Sequence, residues 1–105
     1  MTNAAEALLA HEEDIEQAAR SLKAISHPLR LKILCTIGED EISVQDIVER
    51  VGTSQSNISQ HLAILRDKGI LGSEKRANRV FYRVGDSRTM RLLSMMHEVF
   101  CNRAA

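Results

Sequence analysis

Apolar positions recur along this chain with two different periods. Leu8, Ile15, Ala18, Ala19, Leu22 and Ile25 follow a helical repeat, which predicts an amphipathic first helix over residues 4–25. A second helix is predicted in "PLRLKILCTIG", with Pro28 in the first turn, where a missing N–H does no harm. Its residues are apolar on nearly every side, which predicts a central, buried element that ends at Gly38 and "EDE". Ser43 and Asp46 have the spacing of a capping box, and Val44, Ile47, Val48 and Val51 form the apolar stripe of a third helix. Gly52 breaks that helix, and a fourth begins almost at once, with Ile58, Leu62 and Leu65 turned inward and Gly69 closing it.

The period then changes. "ILGSEKR" and "RVFYRV" read as two strands joined by a turn at Ala77 and Asn78, and Val80, Tyr82 and Val84 alternate with Phe81 and Arg83. A last helix is expected from about Ser87 to Arg103, with Leu92, Leu93, Met96, Val99 and Phe100 apolar. Four helices, a hairpin and a helix make a mainly α (α+β) chain of one domain over 1–105. Two short helices joined by a glycine turn are a helix-turn-helix, here over 43–69. With a basic hairpin at 70–85 behind it, the pattern is a winged helix-turn-helix.

Charge sharpens that picture. The net charge is zero, but residues 1–53 carry 5 basic and 10 acidic side chains, whereas 54–91 carry 8 basic and 3 acidic. A local excess of that kind can face phosphates although the whole chain is neutral. Of the 105 residues 44% are apolar, with three aromatics and no Trp, so association of two subunits would help a modest core. The start lacks a basic leader with a cleavable apolar run, and no apolar stretch approaches the roughly 20 residues of a membrane span. Two cysteines do not make a disulfide framework, and the expected location is the cytoplasm. No nucleophile–base pair with motif support and no glycine-rich phosphate loop is present, so an enzyme is not expected and no cofactor is implied.

The stretch "SQSNISQHLAILRDKG" carries the chemistry. Its front half is serine, glutamine and asparagine, which are mediocre helix formers. Alone, such a run reads as a solvated helix face. After a capped helix and a tight turn, and before a basic hairpin, it fits a recognition helix in the major groove of double-stranded DNA. Gln55, Ser56, Ser59, Ala63 and Arg66 project from the side opposite the apolar stripe. Glutamine can hold adenine by two bonds and serine suits several bases, while small side chains let the backbone approach. Arg66, Lys68, Lys75, Arg76 and Arg79 stand where phosphates would pass, Arg79 at the hairpin tip where a minor groove is in reach.

Across "ISHPLRLKIL", "SVQDIVERVGTSQSNISQHLAILRDKGIL" and "RVFYRV" the chain resembles the ArsR/SmtB family of bacterial winged-helix repressors over nearly its whole length. The resemblance implies a homodimer formed by helices 4–25 and 87–103, an operator with dyad symmetry, and release by an inducer. It adds Gln60 to Gln55, Ser56 and Ser59 as groove-facing residues. Arsenic-sensing members carry Cys-Val-Cys where this chain has Ser43 and Gln45, so that thiolate site is missing. Zinc-sensing members carry Asp-x-His where this chain has Asp86 and Arg88, with Val99 and Asn102 at the later ligand positions.

Two thiols remain. Cys35 is expected to be buried in the second helix, and Cys101 stands near the end of the last. A buried free cysteine usually acts as a small hydrophobe. The placement is nevertheless similar to that in the HlyU/SqrR/BigR/YgaV-like dithiol subgroup, which responds to reactive sulfur species or oxidants. That resemblance implies a disulfide or polysulfide bridge between Cys35 and Cys101 of one subunit. The rival reading is a metal- or arsenic-responsive repressor, because His97 and Cys101 are i and i+4 on one helix and Cys35 would be a third ligand.

Overall fold

The computed structural model describes residues 3–101. In chain order it forms α1 (Ala4–Leu9), α2 (Glu12–Ile25), α3 (Pro28–Ile37), β1 (Glu41–Ser43), α4 (Val44–Val51), α5 (Gln55–Asp67), β2 (Leu71–Arg76), β3 (Arg79–Val84) and α6 (Arg88–Cys101). Among the described residues no helix is long and apolar enough to cross a membrane.

The first helix differs from expectation. It is two helices, broken at Ala10 and His11, and His11 is extended with φ −135° and ψ 118°. Glu12, Glu13 and Asp14 follow directly. Three carboxylates in a row suit the positive end of a helix dipole better than the interior of a longer helix, so a new N-terminus forms there. Asn3 caps the short α1 by accepting a 2.8 Å bond from the Glu6 N–H.

Helix α3 is central, as its apolar periphery predicts. Ile33, Leu34 and Ile37 are fully buried, together with Ile47 of α4 and Ile58, Leu62 and Leu65 of α5. Tyr82, Leu71 and Leu93 complete the core from the sheet and α6. The α4–α5 connection is built from local signals. Gly52 takes a left-handed conformation (φ 82°), closed by its N–H bond to the Val48 carbonyl. The Ser54 hydroxyl then caps α5 by accepting from the Asn57 N–H at 3.2 Å.

The sheet has one strand more than the hairpin. β1 pairs antiparallel with β3, Ile42 opposite Tyr82, giving the order β1-β3-β2. Arg76 pairs with Arg79 across a two-residue loop, and Ala77 and Asn78 have the positive φ values that a type I′ turn demands. Ser43 ends β1 and is almost wholly buried. Its hydroxyl accepts from the Asp46 N–H at 3.2 Å, so it also caps α4, and accepts from Arg79 Nη2 at 3.2 Å. The last helix begins at Arg88, whose N–H is held by Asp86 Oδ1 at 2.9 Å. The expected end of this helix at Arg103 lies outside the described residues.

Candidate nucleic-acid interface and thiol pair

Helix α5 is pinned by its apolar stripe. With Ile58, Leu62 and Leu65 fixed in the core, the helical period sets where every other side chain goes. Gln55, Ser56, Ser59 and Gln60 are exposed, Ala63 and Ile64 half-buried, and Arg66 exposed. Among the described residues none of the first four side chains is hydrogen-bonded to another protein group, so their amides and hydroxyls face water unpaired. An uncharged row of donors and acceptors on a rigid helix can read base edges; a charged row would mainly read phosphate.

His61 sits on the flank of the same helix and is engaged with protein. Its ring lies 4.5 Å from that of His27, tilted by 40°, and its Nδ1 accepts from Arg30 Nε at 3.1 Å. Arg30 also donates to the Ala24 carbonyl at 2.7 Å, and His27 Nδ1 caps α3 by accepting from the Leu29 N–H at 3.0 Å. Burial first, then the neighbouring His27 and Arg30, lower the His61 pKa, which keeps the imidazole a neutral acceptor. The cluster ties the recognition helix to the α2–α3 junction. The role of His27 is not legible in the sequence, because His61, its ring partner, is distant along the chain and meets it only in the fold.

The basic side chains divide in two. Lys75 on β2 is exposed. Arg76 pairs with Glu41 and with Glu74 (3.7 Å), and its guanidinium lies 4.3 Å from the Phe81 ring centroid. Arg79 folds back on the sheet to Ser43 and lies 5.6 Å from the same ring, so the hairpin-tip position does not send it straight outward. Arg66 lies 3.5 Å from Asp67, both at the surface.

The thiols bring a correction. Cys35 is exposed, not buried. Ile33, Leu34 and Ile37 take the inward side of α3, and one residue after Leu34 the helix faces out. Cys35 opens onto a shallow cleft with Lys32, Thr36, Arg50 and Val51. Cys101 is exposed in the last turn of α6, and both thiols are free. Leu31, one turn before Cys35, lines the same apolar groove as Met96 and Phe100, the neighbour of Cys101. Among the described residues no three His, Cys, Asp or Glu side chains gather as metal ligands, so Cys35, His97 and Cys101 do not form the site the metal reading requires. At the zinc-type position Asp86 is bound by Arg88 at 2.6 Å, which holds its carboxyl down to about 2. Val99 is an exposed apolar residue, and Asn102 lies outside the described residues.

Comparison with known proteins accords with this geometry. The family profile described as "Bacterial regulatory protein, arsR family" matches residues 27–73, from the α3 cap to β2. The chain is 33% identical over 92 residues to the biofilm growth-associated repressor of Xylella fastidiosa (strain Temecula1), covering 88% of this chain and 81% of that one. It is 39% identical over 87 residues to the HTH-type transcriptional regulator YgaV of Escherichia coli K12, covering 82% and 88%. The solved structure of reduced HlyU from Vibrio cholerae N16961 superposes with a TM-score of 0.77 at 36% identity, over 86% of this chain and 95% of that one. With an exposed reading helix on a winged scaffold, and relatives matched over most of their length, this chain belongs to the arsR family of bacterial regulatory proteins, among its HlyU/BigR-like members, and is a DNA-binding transcriptional regulator, not an enzyme.

Proposed function

We propose that this protein is a cytoplasmic, homodimeric repressor of a dyad-symmetric operator, released by reactive sulfur species or oxidants through a bridge between Cys35 and Cys101. The observation that carries the switch is that both thiols are free and exposed, on two helices whose Leu31 and Phe100 side chains wall one groove. The dimer is supported by the exposed large apolar residues, Leu8, Leu9, Leu22, Leu92, Met95, Val99 and Phe100, which all belong to α1, α2 and α6. Gln55, Ser56, Ser59 and Gln60 read bases in this scheme, and Arg66, Lys75 and Arg79 hold phosphates.

The chemistry balances with an organic persulfide as oxidant. One thiolate attacks the outer sulfur, displaces the organic thiolate and becomes a protein persulfide. The other thiolate then attacks the protein-bound sulfur and expels hydrosulfide, leaving a disulfide. If a second persulfide first adds another sulfur, attack on the middle sulfur expels hydrosulfide and leaves a trisulfide. A direct disulfide needs Cα atoms within about 7 Å, and each inserted sulfur relaxes that limit. Tying the end of α6 to α3 moves the dimer helices against the DNA-reading body. A change in the spacing of two α5 helices lowers affinity for two half-sites one helical turn apart.

Intact-mass measurement after separate exposure to organic persulfide, disulfide and peroxide tests this, with operator binding followed in parallel. Loss of two hydrogens, with or without added sulfur, should accompany loss of binding. Cys101→Ser should bind operator normally and no longer be released; normal release of that variant would falsify the switch.

A further inference from the structure

Beside the recognition helix, α2, α3 and α5 enclose a cleft of about 390 Å³ lined by Arg20, Lys23, Ala24, Arg30, Ile64 and Lys68. Four of its six lining residues are cations: Arg20 and Lys23 on α2, Arg30 on α3 and Lys68 at the C-cap of α5. Among the described residues no carboxylate lies within 4.0 Å of any of them. Arg30 is held in place by the Ala24 carbonyl and His61, and Arg20 by its 3.0 Å bond to Gln17 Oε1. Lys23 and Lys68 are exposed at the rim. Two anchored guanidinium groups beside exposed ammonium groups, with no carboxylate paired to them, make an unneutralised anion site.

Its position says which anion. By the 3.6-residue period, Arg66 stands at one edge of the exposed arc of α5 and Ile64 and Lys68 at the other, with Ser56 and Gln60 between. A helix in a major groove has a sugar-phosphate strand on each side. Arg66 meets one strand, and the cleft flanks the other. On α2, Arg20 and Lys23 fall on the side opposite Ala18 and Leu22, so the cleft stays open if the Leu22 side is covered by a second subunit.

We infer that Arg20, Lys23, Arg30 and Lys68 form a second phosphate-binding site, which clamps the DNA backbone on the α2 side of the recognition helix. The inference rests on the reading of α5 as the groove-bound helix. The site contributes affinity without sequence preference, because it touches no base.

The test is the triple variant Arg20→Gln/Lys23→Gln/Lys68→Gln, with Arg30 left in place because it also anchors Ala24 and His61. Binding to operator and to a random duplex is measured over a range of salt. Affinity for both duplexes should fall together, by roughly tenfold or more, and the slope of log K against log salt should shrink by about 0.9 for each phosphate no longer neutralised. Arg20→Lys with Lys68→Arg, which keeps the charges, should keep the slope. An unchanged slope in a folded triple variant overturns the site, while operator preference in the wild type would still stand. A wild type with no preference for operator over the random duplex overturns the DNA reading of α5 as well. Tight binding of inorganic phosphate to the wild type, abolished in the triple variant without any change in DNA slope, would assign the cleft to a free phosphorylated ligand and overturn the DNA clamp.

Discussion

Helices α5 and α6 are of similar length and treat their apolar residues in opposite ways. In α5, Ile58, Leu62 and Leu65 are at most 1% exposed, and every exposed residue is polar: glutamine, serine, asparagine, arginine and aspartate. In α6 only Leu93 is buried, while Met95, Val99 and Phe100 are 56%, 64% and 79% exposed. The first helix is complete within the protomer and turns polar groups toward a polar partner. The second leaves its apolar side unfinished, which in water calls for protein cover. In the proposed scheme recognition and assembly fall to separate helices, and Cys101 stands on the unfinished one. A modification there can alter assembly geometry without touching a base-reading side chain.

The contrast can be broken at either end. Leu62→Ala should remove about 2–5 kcal/mol of folding stability, read from urea unfolding, since no neighbour can refill the space in full. A loss below about 1 kcal/mol would mean that α5 is not pinned as described. Phe100→Glu should leave protomer secondary structure intact and shift sedimentation from dimer toward monomer. A variant that remains dimeric at low micromolar concentration would remove α6 from the interface. Ser43→Ala should cost about 1 kcal/mol in thermal unfolding, because a buried hydroxyl caps α4 and holds Arg79 at once. Melting unchanged by that substitution would separate the wing from the helix-turn-helix.

The smallest effect concerns Asp86. Its hydrogen bonds to Arg88 depress its carboxyl to about 2 from 3.8. A depressed acid contributes stability above its unfolded value and loses it as pH falls, here between about 4 and 2. Carboxyl chemical shifts should titrate near 2 in the wild type and return toward 3.8 in Arg88→Gln. Identical titrations in both would show that the pair does not form.

Local signals were legible wherever one residue decides the backbone. Pro28, Ser43, Gly52 and the Ala77–Asn78 pair mark their turns because capping bonds and positive φ depend on neighbours in the chain. The uncharged front of α5 and its inward stripe were readable for the same reason. Strand β1 was not, because three residues with one buried aliphatic side chain show no alternation until β3 lies beside them. The break at His11 was hidden by apolar residues that keep one helical phase on both sides of it.

The sequence by itself determined the helix-turn-helix with its hairpin, the polar exposed side of α5 and the presence of two thiols, since each is written within one local stretch. Tertiary structure alone decided that Cys35 faces out of an apolar helix, that His27, Arg30 and His61 meet, and that four cations from α2, α3 and the α5 C-cap share one cleft with no acid in its lining. Those depend on which side of each helix its neighbours cover, and packing, not periodicity, makes that choice.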